Sequence, residues 1–76
     1  LFDIYPNPTS SSFVIETNLT QDKTIVITDL QGKLLFAFDS NQANEVIDCS
    51  KLASGTYFVK IVSGPSQVTK KLHVQR

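Results

Sequence analysis

The chain has 76 residues and equal numbers of acidic and basic residues, so its formal net charge is zero. That length corresponds to one small domain, and the neutral charge argues against a nucleic-acid surface, which needs a concentration of basic residues. A single cysteine, Cys49, excludes an internal disulfide, and no apolar run approaches the roughly 20 residues of a membrane-spanning helix.

Short runs rich in apolar and β-branched residues, separated by turn residues, predict an all-β chain. Strands are expected at 2–5, 12–17, 24–29, 34–38, 45–48, 56–63 and 67–75. No segment carries a helical apolar stripe, although the run 34–38 is apolar on both faces. Either both of its faces are buried, or a neighbour in a parent protein covers one. The spacing predicts an antiparallel immunoglobulin-like β-sandwich of about seven strands.

The segment Tyr5-Pro6-Asn7-Pro8-Thr9 follows the first strand directly. Each proline fixes φ near −65° and removes a backbone donor, and the residue before each proline is driven toward extended geometry. A rigid bend of this kind cannot continue a sheet, so we expect the first strand to lie at a sheet edge.

Alternation assigns inward positions to one residue in two along several runs. We expect a core built from Phe13, Ile15, Ile25, Ile27, Tyr57, Val59, Ile61, Val68, Leu72 and Val74, with Leu52 filling it from a turn. Lys71 and His73 fall on the opposite face of the last strand.

Charge is distributed unevenly along the chain. Residues 1–50 hold all seven acids and two lysines, a balance of −5, and residues 51–76 hold five basic residues and no acid. Two interpretations are open: acidic and basic strands pair with each other, or a basic face near the end of the chain meets an acidic partner.

No group of residues predicts catalysis. The one nucleophile and base combination is Cys49 with His73, and we expect a core thiol and a solvated imidazole instead. The acids are scattered, and the loop from Asp39 to Glu45 matches no complete calcium motif. We therefore expect no catalytic residue, cofactor or metal. Asn18-Leu19-Thr20 fits a glycosylation sequon, a pattern short enough to occur by chance.

Methionine is absent. We therefore expect residues 1–76 to be one domain cut from a longer protein.

Four motifs stand in a familiar order: Ile4 to Thr9, Ile25 to Lys33, Leu52 to Lys60, and Lys70 to Val74. Together they resemble the type A C-terminal sorting domain of the Bacteroidetes type IX (Por) secretion system, over essentially the whole chain.

The resemblance implies a non-catalytic secretion signal of immunoglobulin-like fold at the carboxyl end of a larger secreted protein. It implies a cargo domain before Leu1 and export through the periplasm and the outer membrane, to the cell surface or the medium. The implied partners are outer-membrane and surface components of the secretion machinery, including a sortase-like peptidase.

Residue by residue, the resemblance carries over a sorting motif to nine positions. These are Pro6, Asn7, Pro8, Gly32, Gly55, Tyr57, Lys71, Leu72 and Val74. An alternative alignment of the last motif places Lys70 where Lys71 stands.

Two other functions are compatible with a small β-sandwich. A carbohydrate-binding module would need a platform of exposed aromatics, for which Tyr5, Phe36, Phe38 and Phe58 are the candidates. An inert immunoglobulin-like spacer would need no site at all.

Overall fold

The computed structural model describes residues 2–17 and 21–75, so the sequon at residues 18–20 lies outside the described residues. Within them the chain forms strands and no helix. The strands are β1 (Phe2–Tyr5), β2 (Ser12–Thr17), β3 (Lys23–Thr28), β4 (Leu34–Ser40), β5 (Asn44–Asp48), β6 (Gly55–Ser63) and β7 (Ser66–Val74). Every expected strand is confirmed, and the main difference is that β4 continues to Ser40.

The strands form two antiparallel sheets packed face to face. The three-stranded sheet has the order β1-β2-β5, and the four-stranded sheet has the order β4-β3-β6-β7. The expected immunoglobulin-like sandwich is thus confirmed, with strands that switch between the sheets at β2–β3, β4–β5 and β5–β6. The first strand lies at a sheet edge, as the prolines that follow it predict.

The core comes from the inward half of each alternating strand. Its fully buried members include Phe13 and Ile15 of β2, Ile25 and Ile27 of β3, and Val59 of β6. Burial of one such side chain stabilises the fold by about 1.5–3 kcal/mol relative to leaving it in water. Leu52, which the sequence predicts to fill the core from a turn, also packs against this cluster from the segment between β5 and β6.

The strand with two apolar faces is explained by a register irregularity. Pairing of β3 with β4 shifts between Ile27 and Thr28, which gives β4 one extra residue. Leu35 and Phe36 both pack against the core as a result, while Leu34 is 58% exposed. The second apolar face of β4 therefore includes a solvent-exposed leucine.

The acids of residues 1–50 do not stand opposite the lysines of residues 51–76 in the described strands, although β3 of the first part pairs with β6 of the second. Among the described strands, no acid stands directly opposite a lysine in either sheet. The expectation of acid–base pairing is wrong because the acidic strands β1, β2 and β5 share one sheet, whereas the lysines of β6 and β7 lie in the other. In the three-stranded sheet, Asp3 stands opposite Glu16, and both are exposed.

We expect Glu16→Lys to stabilise the fold, because it replaces a repulsive cross-strand pair by an attractive one. The gain should be about 0.5–1 kcal/mol in the free energy of unfolding, and salt should reduce it. Urea unfolding at low and high ionic strength measures both effects. Glu16→Gln is the control and should give a smaller gain, and an unchanged stability in both variants would contradict the expectation.

Candidate recognition site

The four motifs lie at the same end of the sandwich. The register sets Thr28 opposite Phe58 and Phe58 opposite Lys71, and it pairs Gly55 with Val74. The β3–β4 turn, the start of β6 and the end of β7 are therefore neighbours. We call this the motif end, formed by residues 6–11, 29–33, 49–57 and 71–75. The first residue of β1 lies at the opposite end, since β1 runs toward the motif end.

The segment after β1 crosses from one sheet to the other. The backbone N–H of Thr9 donates to the carbonyl of His73 at 2.9 Å, and the N–H of Gln75 donates to the carbonyl of Thr9 at 2.8 Å. These bonds form a parallel bridge between Thr9 and Val74. Thr9 is only 3% exposed, and its hydroxyl donates to the carbonyl of Ser12. The chain thus pairs with the outer edge of β7 soon after it leaves β1.

The side chain of Asn7 strengthens this crossing. Its Nδ2 donates to the carbonyl of Lys71, and its Oδ1 accepts from the N–H of His73, each at 3.0 Å. The side-chain amide offers the edge of β7 one donor and one acceptor, as a neighbouring strand would. Pro6 and Pro8 flank it and are exposed. Residues 6–9 are called the crossover clamp below.

Gly32 belongs to a turn that the carboxylate of Asp29 organises. One oxygen of that carboxylate accepts from the N–H groups of Gln31 and Lys33, both at 2.9 Å. Gly32 has φ of 87°, a conformation that glycine adopts without the steric cost other residues incur. The glycine of the second motif therefore has a structural role in the β3–β4 turn.

Tyr57 forms a tyrosine corner near the start of β6. Its ring is buried, and its hydroxyl donates to the carbonyl of Ala53 at 2.6 Å, four residues upstream. In immunoglobulin-like folds this bond ties a strand to the connection that precedes it. Gly55 begins β6 and pairs with Val74. The third motif therefore fixes the β5–β6 connection at the motif end.

The last motif contains two core residues and one exposed cation. Leu72 is fully buried and Val74 is 3% exposed, so neither side chain is available to a partner in the folded domain. Lys71 is exposed on the outer face, opposite Phe58. Lys70 is half-buried and holds its ammonium 5.8 Å from the centroid of the Phe2 ring. Lys71 therefore fits a contact residue better than Lys70 does.

The structure does not assemble the candidate catalytic pair. Cys49 is buried in the core and forms no disulfide. His73 is exposed, and its Nδ1 lies 3.0 Å from the hydroxyl of Thr56. The thiol and the imidazole thus lie in different environments, one inside the sandwich and one on the outer face of the four-stranded sheet.

A shallow groove lies at the opposite end of the sandwich. It is lined by Asp22, Lys23, Thr24, Asp39, Val62 and Gly64. The hydroxyl of Thr24 donates to the Asp39 carboxylate at 2.8 Å, and the Lys23 ammonium donates to the carbonyl of Gln42 at 2.6 Å. Three of the polar groups that line the groove are therefore already used in bonds within the fold.

Residues 2–17 and 21–75 contain no cluster of three or more His, Cys, Asp or Glu side chains placed to hold a metal ion. In the same described ranges there is no helix long and apolar enough to cross a bilayer.

The pKa of Asp48 is lowered, mainly because its carboxylate accepts hydrogen bonds from Ser50. This is a local turn contact at the surface.

Sequence reasoning missed two residues of the motif end. Thr9 was assigned only to a bend, although its backbone pairs with β7 and it is buried. Asp29 was assigned to the end of a strand, although its carboxylate orders the following turn. An aspartate two residues before the middle of a tight turn is a known signal for such ordering, whereas the pairing of Thr9 has no local signal.

The chain matches the family described as secretion system C-terminal sorting domain over residues 3–75. No curated protein matches the chain.

We expect Tyr57→Phe to destabilise the domain by about 1 kcal/mol, because it removes one intramolecular hydrogen bond and leaves the packing of the ring unchanged. Thermal or urea unfolding measures the loss. Tyr5→Phe is the matched control, since Tyr5 is 45% exposed and no hydrogen bond of its hydroxyl is seen among the described residues. Equal stability of both variants would contradict the structural role of the Tyr57 hydroxyl.

Proposed function

Since the chain belongs to the family of secretion system C-terminal sorting domains, we propose that the secretion machinery recognises the motif end of the sandwich and contacts Lys71 directly. The domain is a sorting signal for type IX secretion, which implies export across the outer membrane to the cell surface or the extracellular space.

The observation that carries the proposal is the attachment of the first motif to the last. Asn7 and Thr9 hydrogen-bond the edge of β7 from Lys71 to Gln75. This pairing holds the backbone from the carbonyl of Lys71 to Gln75 in a fixed geometry, so the exposed ammonium projects from an ordered strand. An ordered cation loses less conformational freedom when it binds a partner.

The remaining motif residues support the same surface from within. We propose that Pro6, Asn7 and Pro8 hold the end of β7, that Gly32 shapes the neighbouring turn, and that Gly55 with Tyr57 fixes the start of β6. We propose that Leu72 and Val74 anchor β7 in the core, where both are buried. On this view eight of the nine motif positions position the surface, and Lys71 contacts the partner.

The direction of β1 bears on where a cargo domain would be attached. A cargo domain that precedes Leu1 would join the sandwich at the end opposite the motif end, because β1 runs from that end toward the motif end. The cargo would then leave the motif end accessible. We propose that the β7 side of this end, away from the β3–β4 turn, docks on outer-membrane and surface components of the type IX machinery, among them a sortase-like peptidase, and that the domain itself is not catalytic.

The carbohydrate-binding alternative finds no support in the placement of the aromatics. Phe36 and Phe38 pack against the core, and Phe58 is half-buried. Tyr5 is exposed, but it lies in β1 of the three-stranded sheet, whereas Phe58 lies in the four-stranded sheet. A flat platform for sugar stacking would need several exposed rings on one surface.

We expect Lys71→Glu to reduce export of a cargo that carries this domain by about tenfold or more, which corresponds to about 1.4 kcal/mol of lost binding. The charge reversal alters the proposed contact and leaves the core unchanged. Quantitative immunoblotting of periplasm, cell surface and medium measures the distribution of the cargo.

Lys33→Glu is the matched control, because it makes the same charge change in an exposed turn at the same end, away from β7. It should export normally. Both purified domains should unfold cooperatively, which distinguishes lost recognition from lost folding. Deletion of residues 67–76 would not make this distinction, since it removes Leu72 and Val74 from the core. Normal export of Lys71→Glu would overturn the proposed contact.

A further inference from the structure

Only part of the outer edge of β7 is covered. In the order β4-β3-β6-β7, β7 is the last strand of its sheet. His73 directs its N–H and C=O to the crossover clamp, away from β6. Because these directions alternate along an antiparallel strand, Lys71, Thr69 and Gln67 direct theirs to the same side. Only the carbonyl of Lys71 is bonded there, by Asn7.

The remaining groups form an open stretch of edge. Among residues 2–17 and 21–75, no hydrogen bond reaches the outward N–H and C=O groups of Gln67 and Thr69, or the N–H of Lys71. The crossover clamp bounds this stretch on one side, and the turn at Gly64 and Pro65 bounds it on the other. Positions 67–71 span about 16 Å of strand. The open edge therefore has the length of a short added strand.

The other edges of the sandwich are less suited to pairing. β1 has only four residues, and β4 carries the register irregularity at its start. β5 places Glu45 half-buried, on the side of the sheet that faces the core. Short length, bulges and inward charges are the features that discourage strand addition. The open edge of β7 belongs to a nine-residue strand that is regular in register, and its one inward charge, Lys70, is already directed at the ring of Phe2.

The charge around the open edge is positive. Lys71 stands on its outer face, and Lys60 lies one strand further in, opposite Thr69. Lys70 stands on the inner face. Neither β6 nor β7 contains an acid. On β1, which Lys70 contacts through Phe2, the one acid is Asp3, and it is exposed on the outer face of the other sheet.

From this combination we propose that positions 67–71 accept an extended acidic segment of a partner protein as an additional strand of the four-stranded sheet. The backbone of the segment would satisfy the open groups of Gln67, Thr69 and Lys71. Its acidic side chains would lie on the outer face near Lys71, and its apolar side chains would lie beside Val68. The proposal rests on the proposed function, since it names the kind of partner that the sorting signal meets.

Peptide titration of the 76-residue chain, followed by 15N NMR, tests the binding chemistry. The probe is a synthetic five-residue peptide that alternates valine and glutamate, and the comparison peptide has lysine in place of glutamate. We expect the acidic peptide to bind at least tenfold more tightly, and to shift the amide signals of Thr69 and Lys71 most strongly. Equal binding of both peptides, or shifts centred elsewhere, would overturn the proposal. Self-association of the chain through this edge would overturn it as well.

Two proline variants separate the open edge from the rest of the sheet. Thr69→Pro removes an outward N–H at the edge, where proline is tolerated, and should abolish both peptide binding and export. Ala37→Pro makes the same change at the outer edge of β4 and should preserve both. The alternation that directs His73 outward directs Lys60 toward Val26, so Ala37, which stands opposite Val26, directs its N–H away from β3. If Thr69→Pro does not fold, Thr69→Glu keeps the N–H and should weaken binding of the acidic peptide at least tenfold.

The outcome distinguishes this inference from the proposed function. If Lys71→Glu blocks export while the folded Thr69 variants export normally, the sorting surface is correct and strand addition is wrong. If the Thr69 variants block export while Lys71→Glu does not, strand addition stands and the proposed contact of Lys71 is wrong.

Discussion

The hydrogen bonds between residues 7–9 and the edge of β7 hold the segment that follows the first strand against the last strand. A segment that has just left the three-stranded sheet pairs with the last strand of the four-stranded sheet, and the side-chain amide of Asn7 extends that pairing to Lys71. The contact joins residues 64 and 66 positions apart in sequence. It therefore depends on the native arrangement of the strands between them, so the ordered end of β7 is a feature of the folded domain.

The four sequence motifs contribute mainly hydrogen bonds that fold one end of the sandwich. Asp29 and Gly32 build a turn, Tyr57 bonds the connection before its strand, and Asn7 bonds the last strand. A small domain gains only a few kcal/mol of net stability from its core, so each such bond is a substantial fraction of it. A receptor that recognises β7 in this setting selects folded domains over unfolded ones.

Much of the fold follows from local patterns. Alternation of apolar residues predicts the strands and the inward positions of Ile25, Val59 and Leu72, because one sheet face must be buried. The partner of each strand does not follow, since pairing depends on topology. For this reason the prolines after β1 predict that β1 is an edge strand, but not that residues 7–9 pair with β7. Likewise, the charge asymmetry suggests acid–lysine pairs that do not form, because the acidic strands and the lysine-bearing strands lie in different sheets. The resemblance to the family proposes the motif residues, whereas burial in the structure distinguishes the exposed Lys71 from the core positions Leu72 and Val74.

Residue-resolved hydrogen exchange of the folded chain tests the central claim most directly. Amides in paired edges exchange only when the structure opens, whereas unpaired edge amides exchange readily. The account predicts that the N–H groups of His73 and Gln75, covered by Asn7 and Thr9, are protected to nearly the extent of the core strands, and that those of Thr69 and Lys71 exchange much faster. Equal exchange rates along the whole outer edge of β7 would contradict it.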